Sequence, residues 1–302
     1  MTTAPTYKVA IQCRTYNHAQ FIEDALKGFV MQQLDFPFVA VVIDDCSTDG
    51  NAEIIRKYEQ QYPDIIKGVY LKENHYSQHK SVDEYWEPYA KNCEYIAICE
   101  GDDYWTDPLK LRKQVALMDA HPEYTLCIHN AETLYMETGA KEYLQFGRLE
   151  DREYSAAEMI EEWQAATASF LFRSTIFNAA LFKKIRNNKR FIISDIVIVI
   201  LCGQEGIIRA VPDTMCVYRR HAAGFTMRMT PELNYRFGLF WKECRKILNK
   251  EYAPLFREKE VMYYVRGLTS SIKGLKPKYA FLSAIHCLRH PIKAAEKLLH
   301  IK

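Results

Sequence analysis

The chain has 302 residues, 48% of them apolar and 26% charged, with a formal net charge of +2. That size and apolar content exclude a disordered chain and suit one large α/β domain with an appendage. The small net charge speaks against nucleic acid as a partner, yet it is unevenly spread: Val261 to Lys302 holds eight Lys/Arg and one acid, a basic appendix on a mildly acidic body.

Nine cysteines are scattered without any C-x-x-C pair, which predicts reduced thiols in a cytosol. No start segment pairs basic residues with an apolar stretch, and no run approaches the ~20 apolar residues that span a bilayer. The expected location is cytoplasmic, either free or peripheral at the inner face of the plasma membrane.

Tyr7 to Cys13 (YKVAIQC) reads as a strand, followed by RTYNHAQ and a helical stripe of Phe21, Ala25, Leu26, Phe29 and Val30. Phe38 to Ile43 (FVAVVI) is a second strand ending at Asp44-Asp45, after which Ser47, Thr48 and Asp49 offer caps for a helix through Ile54, Ile55 and Tyr58. Ile65 to Leu71 is a third strand, a weaker helix runs to about Asn92, and Glu94 to Cys99 is a fourth strand. Past Pro108 a helix carries Leu111, Val115 and Met118, and Thr125 to His129 forms a fifth strand.

Residues 155 to 166 read as helix, Ser169 to Arg173 as extended chain, and Phe177 to Ile185 as helix. FIISDIVIVIL (Phe191 to Leu201) is apolar except at Ser194-Asp195, and Ile207 to Val211 and Met215 to Tyr218 are strands. From Pro231 onwards the pattern is helical. Alternating strands and helices predict a doubly wound, mostly parallel mixed sheet flanked by helices, Rossmann-like, with a helical extension. The expected division is a domain of residues 1–230, with halves of about 1–130 and 131–230, and an extension of 231–302.

In such sheets ligands bind outside the carboxyl ends of the strands. Three polar clusters stand there: Arg14-Thr15-Tyr16-Asn17, Asp44-Asp45-Cys46-Ser47 and Glu100-Gly101-Asp102-Asp103. Their convergence is the strongest functional signal in the chain.

Glu100, Asp102 and Asp103 held close together raise one another's pKa, and a hard divalent cation, Mn²⁺ or Mg²⁺, relieves that repulsion and neutralises a diphosphate. Acids near a helix start also stabilise it by ~0.3 to 1 kcal/mol. Asp107-Pro108 reads as such a cap, with Pro at the first helical position. The three acids lie too far ahead of that helix to share its role. The pair Asp44-Asp45 alone is equally consistent with a cap or a turn.

The stretches YKVAIQCRTYNHAQFIEDAL, VVIDDCSTDGN and EYIAICEGDDYWTDPLKLRKQ resemble the successive motifs of family 2 inverting glycosyltransferases of GT-A fold, in a bacterial branch with E-G-D-D-Y-W in place of D-x-D-D. The resemblance covers residues 7 to 225 and implies an enzyme that moves a sugar from a nucleotide-diphosphate sugar, a UDP-sugar, to a glycan or lipid-linked acceptor in surface polysaccharide or lipopolysaccharide assembly. It implies Tyr16 stacking on the base, Asp44 and Asp45 holding base and ribose, and Glu100, Asp102 and Asp103 at the metal, with Asp102 also near the donor. Arg14 departs from the family pattern, and two roles stand open for it: approaching the donor or pairing with an acidic cluster. Cys46 stands where the family has Gly, a place that a small residue should fit.

Inversion needs a base for the acceptor hydroxyl. The resemblance gives that role to Asp195, whose apolar surroundings should raise its pKa; capping the helix that follows is the other reading, and the two are compatible. The resemblance also brings His221, in YRRHAAGFT, to the metal or diphosphate, with Arg219 and Arg220 completing a phosphate clamp. Trp105 is read as packing against Pro108, with an acceptor platform as the other reading. Thr167 to Phe170 and the loop Glu73 to Ser81 should border the site.

Residues 279–302 alternate apolar clusters with Arg289, Lys293, Lys297 and Lys302, which fits either a helix packed on the domain or an interfacial helix drawn to anionic lipid. Three rivals remain. A sugar nucleotidyltransferase needs a Gly-rich phosphate loop that RTYNHAQ lacks, and a phospho-acceptor receiver domain leaves half the chain unexplained. A non-catalytic nucleotide-sugar-binding relative differs from the enzyme only in turnover.

Overall fold

Val9 to Cys13 are buried without a gap, the pattern of a central strand covered on both faces. The computed structural model describes residues 7–78, 80–142, 147–186, 188–192, 194–222, 224 and 229–299. Parts of four sequence-read segments therefore fall outside the described residues: His79 of the 73–81 loop, Ile193 before Ser194-Asp195, Ala223, Phe225 and Thr226 after His221, and His300 to Lys302.

The chain opens with β1 (Tyr7–Thr15), α1 (Ile22–Val30), β2 (Phe38–Asp44), α2 (Asn51–Gln61), β3 (Ile66–Tyr70), α3 (Asp83–Ala90) and β4 (Cys93–Ile98). It continues through β5 (Tyr104–Trp105), α4 (Lys110–Ala120), β6 (Tyr124–Tyr135), β7 (Lys141–Glu142), β8 (Glu153–Tyr154), α5 (Ala156–Glu161) and β9 (Leu171–Arg173). Then come α6 (Ser174–Asn178), α7 (Ala180–Arg186), α8 (Ser194–Glu205) and β10 (Ile207–Arg220), and last α9 (Pro231–Ile247), α10 (Ala253–Lys273), α11 (Pro277–Leu288) and α12 (Pro291–Leu299).

These form two compact units, residues 1–183 with 198–220 and residues 184–197 with 221–302. The second takes in 184–197 as well as the helices that the sequence placed in the extension.

The first unit holds one mixed sheet in the order β3-β2-β1-β4-β9-β6-β10-β5, with β7 on β6 and β8 on β10. β1 pairs in parallel with β2 on one side and β4 on the other. The chain therefore reverses its direction of winding at β1, and a crevice opens at the ends of these three strands. On one face, Val9, Ile11, Cys13, Ala40 and Val42 pack with Ile22, Leu26 and Phe29 of α1 and Leu111, Val115 and Met118 of α4. The other face carries the alternate residues Ala10, Val39, Val41 and Ile96, with Trp86 of α3 against Phe177 of α6.

Several elements differ from the reading. The fifth strand runs twelve residues, to Tyr135, because β10 pairs with nearly all of it. The two strands read at 207–211 and 215–218 are one, with register shifts around Pro212 and Asp213, since proline has no N–H for the ladder. The helix read over 155–166 stops at Glu161, and the one over 177–185 breaks at Ala179. Gly50, at φ 96°, occupies the cap position of α2, leaving Asp49 to accept the Asn51 N–H at 3.1 Å. α4 begins at Lys110; Asp107 caps the preceding turn, its Oδ1 accepting the Leu109 N–H at 2.7 Å.

In the second unit, Val261, Tyr264 and Val265 of α10 form a small core with Cys287 and Ala294. Residues 184–197 join this unit through a ring contact of Phe191 with Phe240 and an ion pair of Arg190 with Glu243 at 3.0 Å.

Candidate functional site

The loops that follow β1 and β2 are tied together. Asn17, in the left-handed region at φ 53°, donates its N–H to Ser47 Oγ at 2.8 Å and accepts the Thr48 N–H on Oδ1 at 2.9 Å. The Ala19 N–H donates to Asp49 Oδ2 at 2.8 Å. Asn tolerates this backbone region better than most residues. The crevice floor is thereby pre-formed.

Asp44 and Asp45 face different partners, as alternation along a strand requires. Asp44 turns inward: Oδ1 accepts from Asn51 Nδ2 at 2.5 Å and Oδ2 from the Ser47 N–H at 3.1 Å. Thr15 Oγ1 donates to Asn51 Oδ1 at 3.2 Å and completes this buried network. Asp45 accepts the N–H groups of His75 and Tyr76, at 2.7 and 3.0 Å, and so holds the 73–81 loop against the strand end. Between Asp45 and Ser47 the backbone passes through Cys46 at φ 64°. The expectation that any small residue suits this position needs correction, because a Cβ in that region is strained.

Tyr16 stands 45% exposed, a bare ring at the end of β1. The Arg14 side chain is also accessible, and its Nη2 lies 3.7 Å from Asp83 Oδ1 at the start of α3. Arg14 therefore meets an acid outside both strand-end clusters.

The acidic turn rests directly on β1. Gly101 donates its N–H to Arg14 O at 2.9 Å, and a Cβ there would lie 2.6 Å from Thr15 Cβ. Only glycine permits this approach. The Glu100 carbonyl accepts the Asp103 N–H at 3.1 Å and closes the turn.

The three acids then part. Asp103 is buried, and its Oδ1 accepts the Arg219 N–H at 2.8 Å. Burial first, and then Asp102 and Glu100, push its carboxyl well above the usual range. Asp102 is more accessible, with Oδ2 3.8 Å from His18 Nε2. His18 gave one signal in the sequence, an imidazole three residues beyond the end of β1, in RTYNHAQ.

Arg219 is likewise a buried structural residue. Its Nη1 donates to Asp102 O at 3.0 Å, its Nη2 pairs with Asp24, and its guanidinium lies 5.2 Å from the Phe21 ring and 4.3 Å from that of Tyr104. The phosphate clamp read into Arg219 is corrected by these contacts: the group is engaged in holding the acidic turn. Trp105 donates its Nε1–H to Ala168 O at 2.8 Å and packs on Phe29, with Lys110 Nζ 4.1 Å from its ring.

Arg14, Tyr16, Asp44, Asp45, Glu100, Asp102 and Asp103 thus gather at three neighbouring strand ends of the first unit. Asp195 and His221 belong to the second. Asp195 lies half-buried in the first turn of α8, where an acid suits the helix start, and its Oδ1 accepts the N–H of the adjacent Ile196 at 2.8 Å. His221 follows the last residue of β10 and is buried, its carbonyl accepting the Gly224 N–H at 2.9 Å.

The family model of glycosyl transferase family 2 matches residues 14–190. The chain belongs to this family. An uncharacterized protein of Mycobacterium tuberculosis is 36% identical over 211 residues, which are 70% of this chain and 58% of that protein. The chain thus spans less than two thirds of the length of this relative. TuaG of Bacillus subtilis, named as a candidate teichuronic acid biosynthesis glycosyltransferase, is 31% identical over 113 residues, 36% of this chain and 41% of its own. Among solved structures, residues 1–349 of S. aureus TarS in complex with UDP-GlcNAc are similar at a TM-score of 0.61 and 15% identity, over 96% of this chain and 89% of that one. The fold is accordingly GT-A-like, a mixed sheet flanked by helices.

Proposed function

We propose that this family 2 protein is an inverting, metal-assisted glycosyltransferase. It moves a sugar from a nucleotide-diphosphate sugar, a UDP-sugar, to a hydroxyl of a glycan or lipid-linked acceptor during assembly of a surface polysaccharide. The observation that carries this reading is the acidic turn seated by Gly101 on β1, which brings Asp102 beside His18 at the winding reversal of the sheet. The names of TuaG and of the UDP-GlcNAc complex of TarS support the polysaccharide and the UDP-sugar.

A carboxylate beside an imidazole fits Mn²⁺, while Mg²⁺, which takes oxygen ligands, would be held by the carboxylates alone. Asp102 Oδ2 and His18 Nε2, at 3.8 Å, are too far apart to share a hydrogen bond and are spaced as two ligands around one small ion. Asp102 would be its principal carboxylate with Glu100 beside it, Asp103 supports the turn from beneath, and the bound ion would supply positive charge for the leaving diphosphate.

The rest falls to side chains. Tyr16 stacks on the base. Asp45 fixes the 73–81 loop and accepts from the nucleotide with its remaining lone pairs, while Asp44 sets the turn that positions it. Arg14 and His221 are assigned to the donor. Asp195 takes the acceptor's proton as the new bond forms, a contribution of roughly 10²–10⁴-fold.

The Asp195→Asn protein, assayed for sugar transfer and for Mn²⁺-dependent UDP binding by calorimetry, tests this reading. Transfer is expected to fall by about 10²-fold or more with binding retained. Undiminished transfer would remove Asp195 from the mechanism, and wild-type binding of UDP that EDTA leaves unchanged would remove the metal.

A further inference from the structure

Helices α11 and α12 carry their polarity inside out. The face of α11 that packs into the second unit holds Ser283, His286 and Cys287, and His286 lies flat on the Tyr264 ring with centroids 4.2 Å apart. The opposite face presents Phe281 and Leu288, 67% and 77% exposed, with half-buried Ile285 between them. On α12 the buried residue is Ala294, while Ile292 and Leu299 are 76% and 85% exposed.

Of the eleven large apolar side chains exposed among the described residues, seven lie between Ile272 and Leu299. Such a concentration on a protein surface marks an interaction site. Its border is basic: Lys273, Lys276, Lys278 and Arg289 are exposed there, and Glu296 is the one acid in residues 261–302. Glu258, which pairs with Lys297, and Glu232, beside Tyr279, lie toward α12 and the start of α11, while Lys273, Lys276, Lys278 and Arg289 pair with no acid among the described residues, so two copies meeting through this face would bring those four cations together. Lipid phosphates answer them directly. No described helix is long and apolar enough to cross a membrane, so a bilayer would be met at its surface.

We propose that α11 and α12 dock the protein on an anionic bilayer surface. Phe281, Leu288, Ile292 and Leu299 enter the boundary between headgroups and acyl chains, and the flanking lysines and arginine meet lipid phosphates. The inference stands independently of the catalytic reading, since none of these residues belongs to the strand-end site.

Flotation of the full chain with vesicles tests it, comparing phosphatidylcholine alone with equal parts phosphatidylcholine and phosphatidylglycerol. The protein is expected to float with the anionic vesicles and to be released as salt rises. Replacing Phe281, Leu288, Ile292 and Leu299 together by serine should lower partitioning at least about tenfold without moving Tm, because all four are exposed. Lys276→Glu with Lys278→Glu and Arg289→Glu should lower it as well while leaving the apolar stripe intact, a second arm should the serine variant fold poorly. Absence of flotation, or equal flotation of wild type and both variants, would overturn the proposal. So would a wild-type dimer in sedimentation that the serine variant abolishes, with neither protein floating.

Discussion

Asp103 and Arg219, 116 residues apart, meet when the Arg219 N–H donates to Asp103 Oδ1 at 2.8 Å. The raised pKa of this carboxyl group makes asparagine a near-neutral replacement. Asp103→Asn should stay within about 1 kcal/mol of wild type in urea unfolding. Arg219→Met strips the partner from Asp24 and from Asp102 O, and should cost about 3 kcal/mol. The reverse order would show that Asp103 is held as a charge.

Gly101→Ala places a methyl group 2.6 Å from Thr15 Cβ, where neither strand end has room to give. A loss of about 2 kcal/mol is expected in the same unfolding experiment. Divalent-cation-dependent UDP binding should weaken with it, as the acidic turn lifts from β1.

Cys46→Gly should stabilise the protein. Relief of a Cβ at φ 64° is worth about 1–2 kcal/mol, against an entropic cost of about 0.5–1 kcal/mol for glycine in the unfolded chain. A net gain of about 0.5–1 kcal/mol should appear as a higher urea midpoint with an unchanged slope.

His286 gives a pH signature. Burial first, then Lys242, Arg289 and His290, lower its pKa from 6.5 to about 4. The unfolded chain therefore takes up a proton on acidification before the native state does. The stability this site contributes is whole above pH 6.5 and is lost as the pH falls toward 4. His286→Phe keeps a ring against Tyr264, so its Tm should fall less than that of wild type across this window. Parallel Tm curves would mean that His286 takes no part.

The part of the sheet from β1 to β4 was legible because its signals are local: apolar strands of five to nine residues, helices with a spaced apolar stripe, and acids at strand ends. β5 was not, since Tyr104 and Trp105 become a strand only through pairing with Val217 and Cys216. The division of labour between Asp44 and Asp45 follows from strand alternation and was within reach of the sequence. Arg219 was not, because in the sequence it is one cation among RRH and its partners Asp24 and Asp102 lie far upstream. His18 was hidden for the same reason: its neighbour Asp102 arrives from another strand end.

That β10 closes over the acidic turn also orders events during synthesis. Until residue 219 has emerged and paired, Asp103 has no N–H to accept and Asp102 no guanidinium on its carbonyl. A nascent chain that already holds β1, β2 and β4 therefore displays the acids without their geometry. If the proposed site binds a cation and a nucleotide, that capacity should arrive late in translation, and a fragment ending before β10 should lack it.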